Sequence, residues 1–285
     1  MVPTQAPRSP TRIAEIIQSA PAINRRVDVA WLSSASGIPE AELRSVVSGT
    51  PPLASHLDGL APAPGFHAVD LYVIAGVLVP GTLTPRDPTT ASAVAALARI
   101  TMALPSGQRI RVHRFVDELQ LELEGRPAAL PFIYDQHEAG FGAMVASLLC
   151  GNRNLHSLTA VAKPLAALTE GQVYLAASTI GGIGRGRVPL SSDRVEAFAT
   201  ALGIPASDLA AITGVELREP SWPDDPLVSD MAGLLWNCRR LTAAQVGLVR
   251  DEAESMLVAV PDDASDEDWN RVHHHHGRWW GAPRR

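Results

Sequence analysis

The chain has 285 residues, a formal net charge of −6 from 30 acidic and 24 basic residues, and a hydrophobic content of 46%. This length favours about two domains, and the hydrophobic content excludes general disorder. The acidic balance excludes the broad basic surface of a protein that binds nucleic acid without specificity, so any DNA contact must be local.

The predicted elements are helices throughout, because alanine and leucine are plentiful while aromatic residues make up only 5% of the chain. Residues 1–10 predict a loose arm. In the segment that follows, residues 11–125, Gly37 suits the position after a helix end and Pro39 suits a helix start. The helices of this segment are predicted near 11–20 and over 29–36, 39–47, 55–63, 67–75, 90–104 and 108–124.

The second half of the chain repeats this order of helices. Residues 126–139 predict a linker, residues 140–260 a second set of helices, and residues 261–285 a flexible tail that begins acidic and ends basic and tryptophan-rich. The helices of this half are predicted over 141–150, 158–168, 174–183, 192–202, 207–212, 230–238 and 242–257.

An internal repeat relates the two helical segments. Residues 65–76 match residues 203–214 at six of twelve positions with a constant spacing of 138 residues, and the match continues downstream at a spacing of 137. We name residues 11–125 unit one and residues 140–260 unit two.

Each unit ends in a predicted helical hairpin with an apolar stripe. Such a stripe predicts either a core within the chain or a dimer interface, and two units in one chain could also supply a symmetric pair without a second subunit. The stripe residues are Val94, Leu97, Ile100, Met102 and Leu104 in unit one, and Met231, Leu234, Leu235, Val246, Val249 and Leu257 in unit two.

Unit two carries a motif that begins within its predicted third helix and continues through the following turn. It consists of the run Ser178-Thr-Ile-Gly-Gly-Ile-Gly-Arg-Gly-Arg187, then Pro189-Leu-Ser-Ser-Asp193 and Leu202-Gly-Ile-Pro205. This motif resembles the recognition helix and following turn of the lambda-repressor-like (Xre-type) helix-turn-helix family. The chain is also similar to tandem helix-turn-helix proteins of actinobacteria. The resemblance covers about 70 residues in each unit and is weaker in unit one.

The resemblance implies an all-α fold of two tandem lambda-repressor-like helix-turn-helix units, each followed by a helical hairpin. In that fold the third helix of a unit enters the DNA major groove. It further implies a transcriptional regulator whose partner is double-stranded DNA, located in the cytoplasm and on the nucleoid when bound.

Five residues of unit two are predicted to contact DNA. Ser178 and Thr179, at the start of the recognition helix, can bond phosphates or base edges. Arg185 and Arg187 leave the helix where they can reach a phosphate or a guanine, and Arg194 adds a third positive charge across the turn.

Three glycines in the same helix, Gly181, Gly182 and Gly184, predict a close approach of the backbone to the duplex. Glycines also weaken a helix, by roughly 1 kcal/mol each relative to alanine. The family often has a glutamate where Gly184 stands, so a degenerate copy of the domain is an alternative interpretation.

In unit one the candidate DNA contacts are Arg44 and Ser45, with Arg25 and Arg26 upstream. The helix predicted over 39–47 also carries two acidic residues, which repel phosphate. We therefore favour a packing or dimerisation role for this unit.

The sequence thus predicts a sequence-specific DNA-binding regulator that acts mainly through unit two. The alternative is a non-enzymatic scaffold that uses degenerate helix-turn-helix domains to bind another regulator. A homodimer is compatible with either function. A positive patch formed by Arg185, Arg187 and Arg194 favours the regulator, and neutralisation of that patch by Asp193 and Glu196 favours the scaffold.

No enzyme signature or cofactor motif occurs in the sequence, so we expect no catalysis and no cofactor. His273–His276 lack the ligand spacing of a structural zinc site, so no metal is expected. Asp135, His137 and Glu138 predict a solvated loop in the linker.

Cys150 and Cys238 each lie in an apolar helical stretch, which predicts two buried free thiols. The tail residues Trp269, Trp279 and Trp280 predict docking against the protein, with stacking on nucleic acid as the alternative. The apolar stretches are too short to cross a bilayer and the first residues lack a signal-peptide core, so no membrane partner is expected.

Overall fold

The computed structural model describes residues 29–61, 66–121, 134–169, 171, 173–218 and 226–257. Over these residues it contains thirteen α-helices and no strand, which confirms the predicted all-α class. The helices are α1 (Val29–Ser36), α2 (Glu40–Val47), α3 (Ala54–Leu60), α4 (Ala68–Ala75), α5 (Ala91–Met102), α6 (Ser106–Leu121), α7 (Gln136–Ser147), α8 (Leu158–Leu168), α9 (Ala177–Gly184), α10 (Ser192–Leu202), α11 (Ala206–Thr213), α12 (Pro226–Cys238) and α13 (Ala243–Ser255). None of these helices combines the length and the apolar character needed to cross a bilayer.

Most helix bounds lie within about three residues of the sequence prediction, because glycine and proline mark the helix ends. One local prediction is wrong for two of its three residues: His137 and Glu138 lie in α7, which begins at Gln136, whereas Asp135 precedes the helix and is exposed. Gly140, with φ 59° and ψ −136°, interrupts this helix, and a π-helical turn continues it. Three helices have the predicted bounds, at 29–36, 158–168 and 192–202.

The first helices of unit one form as their sequence predicts. Gly37 follows α1 with φ +72° and donates its N–H to the Ser33 carbonyl at 2.8 Å. Helix α2 carries its two acidic residues in the first turn and buries Leu43 and Val46. Burial of these two side chains against α1 fixes which face of α2 points outward.

The two helical hairpins pack against each other within the chain. Helices α5 and α6 of unit one both contact α12 and α13 of unit two. This packing buries most of the two apolar stripes, so the stripes form an internal core. The fully buried members are Val94, Leu97, Leu104, Met231, Leu234, Leu235, Val246 and Val249.

Charged side chains bridge the same hairpins at the edge of this core. Arg109 of α6 forms an ion pair with Asp230 of α12, and His113 Nε2 lies 2.8 Å from the same carboxylate. Arg111 pairs with Glu252 of α13 at 3.1 Å. The two hairpins are therefore held by polar as well as apolar contacts.

A buried ion pair joins the units at a second place. Asp70 of α4 and Arg153, which follows the π-helical turn, are both 0% exposed and form two hydrogen bonds of 2.7 and 2.8 Å. Asn152 Nδ2 donates to Asp70 at 2.9 Å, and Arg153 Nη2 also donates to the Leu202 carbonyl at 2.6 Å. Although burial raises the pKa of the Asp70 carboxyl, Arg153 and Asn152 hold it below its usual range.

An aromatic stack lies beside this ion pair. The rings of His67 and Trp236 are parallel, with centroids 3.4 Å apart. The guanidinium groups of Arg153 and Arg239 lie 4.9 and 4.4 Å from the Trp236 centroid. Burial and the two arginines lower the pKa of His67 to about 4, against the opposing effect of Asp70. Residues from both units thus meet in one polar junction, in which Asp70, Arg153 and Arg239 are buried and His67 and Trp236 are half-buried.

Candidate nucleic-acid interface

Helix α9 presents its polar residues on the outer side because its apolar residues are anchored inward. Ile180 and Ile183 are each 1% exposed and pack in the core, and α9 contacts α7 and α8. On the other face, Ser178 is exposed and Thr179 is half-buried. The structure therefore places the two predicted hydroxyl contacts on the solvent side of α9.

The glycines of α9 face the protein, so the predicted role in approaching a duplex is wrong. A Cβ on Gly184 would lie 2.7 to 2.9 Å from atoms of the Tyr134 ring. A Cβ on Gly182 would lie 2.7 Å from the Val188 side chain, and one on Gly181 would lie 2.9 Å from both Leu158 and Arg185 side-chain atoms. These glycines let α9 pack closely on its neighbours.

The contact between α7 and α9 is equally close. A Cβ on Gly142 of α7 would lie 2.2 Å from the Ile183 carbonyl oxygen. Helices α7 and α9 therefore meet backbone to backbone, which holds α9 in place without large side chains between them.

The three predicted arginines of unit two lie at the end of α9 and the start of α10. Arg185 and Arg187 are exposed, and Arg194 is half-buried. Arg185 Nη1 donates to the Gly181 carbonyl at 3.1 Å, and Arg194 Nη1 donates to the Pro189 carbonyl at 2.6 Å. Each of these bonds uses one N–H of a guanidinium that has five, so most donors stay available to a ligand.

The neutralisation expected of the scaffold alternative is not seen here. Within the described ranges, no acidic side chain forms an ion pair with Arg185, Arg187 or Arg194. Glu196 is only 5% exposed and accepts a hydrogen bond from Ser192 Oγ at 3.0 Å. Asp193 is exposed in the first turn of α10. Of the two acidic residues expected to neutralise the patch, Asp193 is exposed and Glu196 is buried.

Tyr174 is an exposed residue of this surface that the sequence analysis did not select. It is 77% exposed and precedes α9 by three residues, whereas the sequence predicted it as a helical residue. A tyrosine at the first position of the predicted recognition helix was the available signal, because its hydroxyl can donate a hydrogen bond to a DNA phosphate.

Helix α2 of unit one has the same packing frame as α9. Three structural residues of α2 and the turn after it have counterparts 137 residues later, and both glycines have positive φ, +104° and +68°. The pairs are Leu43 with Ile180, Val46 with Ile183, and Gly49 with Gly186.

The outer side of α2 differs in charge. Arg44, one of the two predicted contacts of unit one, forms an ion pair with Glu40 one turn earlier. Ser45, the other, lies 3.0 Å from the Thr50 hydroxyl. The structure therefore gives both predicted side chains a partner within unit one.

Several predictions fall on residues that the structure does not describe. Arg25 and Arg26 lie outside the described residues, as do His273–His276 and the tail tryptophans Trp269, Trp279 and Trp280. In the described part of the chain, no group of three or more His, Cys, Asp or Glu side chains could hold a metal ion.

The two cysteines are buried free thiols, as predicted. Burial raises the pKa of both Cys150 and Cys238 to about 12, so neither forms a reactive thiolate in the folded protein near neutral pH.

Comparison of the chain with protein-family models, with curated proteins and with solved structures gives no significant match.

Proposed function

We propose that this protein is a DNA-binding transcriptional regulator built from two tandem lambda-repressor-like helix-turn-helix units, and that it reads duplex DNA mainly through α9. Three features support the proposal: the motif at residues 178–205, the order of short helices around it, and the exposed polar face of α9. In such a fold the helix after the turn carries the base contacts.

The observation that carries the proposal is the cluster of Arg185, Arg187 and Arg194 without an acidic partner in the described residues. Guanidinium groups bind phosphate and the guanine edge through paired N–H donors. Ser178 and Thr179, in the first turn of α9, supply hydroxyls for phosphates or base edges. A positive cluster on a chain with net charge −6 directs anionic DNA to one face.

The test is a selection of sequences from random duplexes by the full chain, followed by binding isotherms at two salt concentrations. We expect Arg187→Ala to weaken the selected site by about 1 to 3 kcal/mol, or about 5- to 150-fold, if it reads a base. If Arg187 touches phosphate, the affinity for all sequences falls by the same factor. The slope of log affinity against log salt concentration then becomes shallower by about one.

Arg44→Ala is the matched control, because it removes one exposed arginine from the corresponding helix of unit one. We expect it to change the isotherm by less than twofold, since Arg44 is held by Glu40. An Arg187→Ala isotherm equal to that of the wild type would exclude Arg187 from the interface. Equal losses in both variants would contradict the assignment of binding to unit two.

A second candidate function, binding of a small ligand or a partner regulator, is favoured by one observation. A cavity of about 840 Å³ lies between the end of α10, α11 and α12, with Ile204, Trp236 and His67 in its wall and Glu196 and Arg218 among its polar groups. This volume suits a small organic ligand. Isothermal titration with candidate ligands, with Ile204→Trp as a cavity-filling control, would test it.

A further inference from the structure

We infer that the DNA site of this protein is non-palindromic and is bound by a single chain. The inference rests on the proposed function and names the class of duplex that unit two would take. Dimeric helix-turn-helix proteins read palindromic sites because their two identical subunits are related by twofold symmetry. Two features of this chain differ from that arrangement.

The first feature is that the hairpin faces are occupied within the chain. Leu97 of α5 and Leu234 and Val249 of the second hairpin are at most 1% exposed. Among the described hairpin residues, the exposed large apolar side chains are Ile110 and Leu248, at 59% and 53%. Two side chains provide little apolar area compared with the roughly 2,000 Å² or more of an obligate dimer interface.

The two units are also joined by the buried pair of Asp70 and Arg153, with 0% exposure on both sides. A buried pair of this kind cannot separate without leaving an unpaired charge in the core. The packing that a second subunit would supply is therefore already present between unit one and unit two.

The second feature is that the two predicted recognition helices are not equivalent. Helix α9 leads into Arg185 and Arg187, whereas the positions 137 residues earlier are Ser48 and Thr50. In α2, Arg44 is paired with Glu40. A palindromic site would present the same bases and phosphates to both helices, and these side chains cannot read the same bases in the same way.

The inference sets the number of phosphate contacts as well as the symmetry. Three arginines can neutralise at most about three phosphates, which gives a slope of about −3 in a plot of log affinity against log salt concentration. A twofold dimer that uses the same three arginines in each subunit would give a slope of about −5.

The experiment uses the full chain and the duplex that it selects from a random pool. We expect a motif without inverted symmetry, a free chain with the mass of one 30.3 kDa protomer, and a complex of one chain per duplex by mass photometry. The salt slope is expected to be no steeper than about −3. A second duplex should carry two inverted copies of the motif, with centres about 10.5 base pairs apart. It should bind two chains without cooperativity.

Ile110→Glu and Leu248→Glu serve as matched variants, because both side chains are exposed and neither substitution disturbs the core. Both should leave the mass and the isotherm unchanged. A palindromic motif or a cooperative complex of two chains would overturn the inference while leaving DNA binding intact, and disruption of that two-chain complex by either variant would place the dimer contact on the hairpins. Absence of any enriched sequence, with no effect of Arg187→Ala, would overturn the proposed function and this inference with it.

Discussion

Helices α2 and α9 share a packing frame and differ on the surface, and this contrast separates what sets the fold from what sets the proposed function. Their buried positions are occupied alike, by Leu43 and Val46 in one and Ile180 and Ile183 in the other. Their exposed positions are not: Ser48 and Thr50 in unit one correspond to Arg185 and Arg187 in unit two. A duplicated fold can thus keep its core while one copy carries the proposed binding chemistry.

A second contrast concerns one aspartate in each unit. Asp70 and Asp208 occupy the same position of the repeat, 138 residues apart. Asp70 is paired with Arg153, which holds its pKa below the usual range despite burial. Asp208 is 5% exposed, forms no ion pair with a described residue, and burial raises its pKa. The repeat conserves the residue type but not the partner.

The largest expected effect is on stability, from Asp70→Ala. This substitution leaves Arg153 and Arg239 buried without a counter-charge, so we expect unfolding free energy to fall by about 3 to 5 kcal/mol. Asp208→Ala, the matched control, should change it by about 1 kcal/mol or less. Urea denaturation of the two variants measures this difference, and similar losses in both would contradict the contrast.

The next effect tests the close packing of α9. Gly184→Ala places a methyl group within 3 Å of the Tyr134 ring, so we expect the free energy of unfolding to fall by about 1 to 3 kcal/mol. The corresponding position of unit one is occupied by Val47. Gly247→Ala in α13 meets open space and should instead stabilise by about 0.5 to 1 kcal/mol. Thermal unfolding of both variants checks the prediction, and an unchanged Gly184→Ala midpoint would show that Tyr134 can move aside.

A smaller effect depends on pH and on His67, which stands where unit two has Pro205. Its pKa of about 4 in the folded protein is below the ordinary 6.5, so the unfolded chain binds the proton first as the pH falls. The contribution of neutral His67 to the free energy of unfolding is therefore complete above pH 6.5 and is lost as the pH falls from 6.5 to 4. Allowing for partial exposure of the ring, we expect a loss of about 1 to 2 kcal/mol.

The measurement compares the wild type with His67→Gln by urea denaturation across this pH window. Burial also lowers the pKa of His156, and that contribution stays in both proteins. Asp70 adds a further loss only below its ordinary value of 3.8. Curves that stay parallel down to pH 4 would show that His67 is protonated without cost in the folded protein.

The smallest expected effect is a gain of binding by unit one. Ser48→Arg with Thr50→Arg gives α2 the cations that follow α9, and we expect affinity for duplex DNA at low salt to rise about two- to fivefold. The gain is limited because Glu40 and Glu42 remain on the helix. Fluorescence anisotropy with a labelled duplex measures the change, and Ser48→Gln with Thr50→Gln is the uncharged control. Equal effects of both double variants would exclude charge as the cause.

The sequence predicted the helices well because their ends carry local signals, as with Gly37 after α1. It did not predict the pairing of Asp70 with Arg153, since the two residues are 83 positions apart and no local pattern connects them. Nor could it predict which way the α9 glycines face. A pattern of apolar and polar side chains indicates the buried face of a helix, and glycine has no side chain to contribute to it. The candidate DNA contacts remain predictions: Ser178 and Thr179 lie in the first turn of α9, and Arg185 and Arg187 follow its last residue.

The packing of the two hairpins within one chain has a consequence for how such a protein can change. In a homodimer, any substitution in the recognition helix appears twice and alters both half-sites of the operator together. In this chain a substitution at Arg187 alters one copy and leaves Thr50 as it was. The two copies are therefore free to diverge, one carrying the proposed DNA contacts and the other kept for the core it completes.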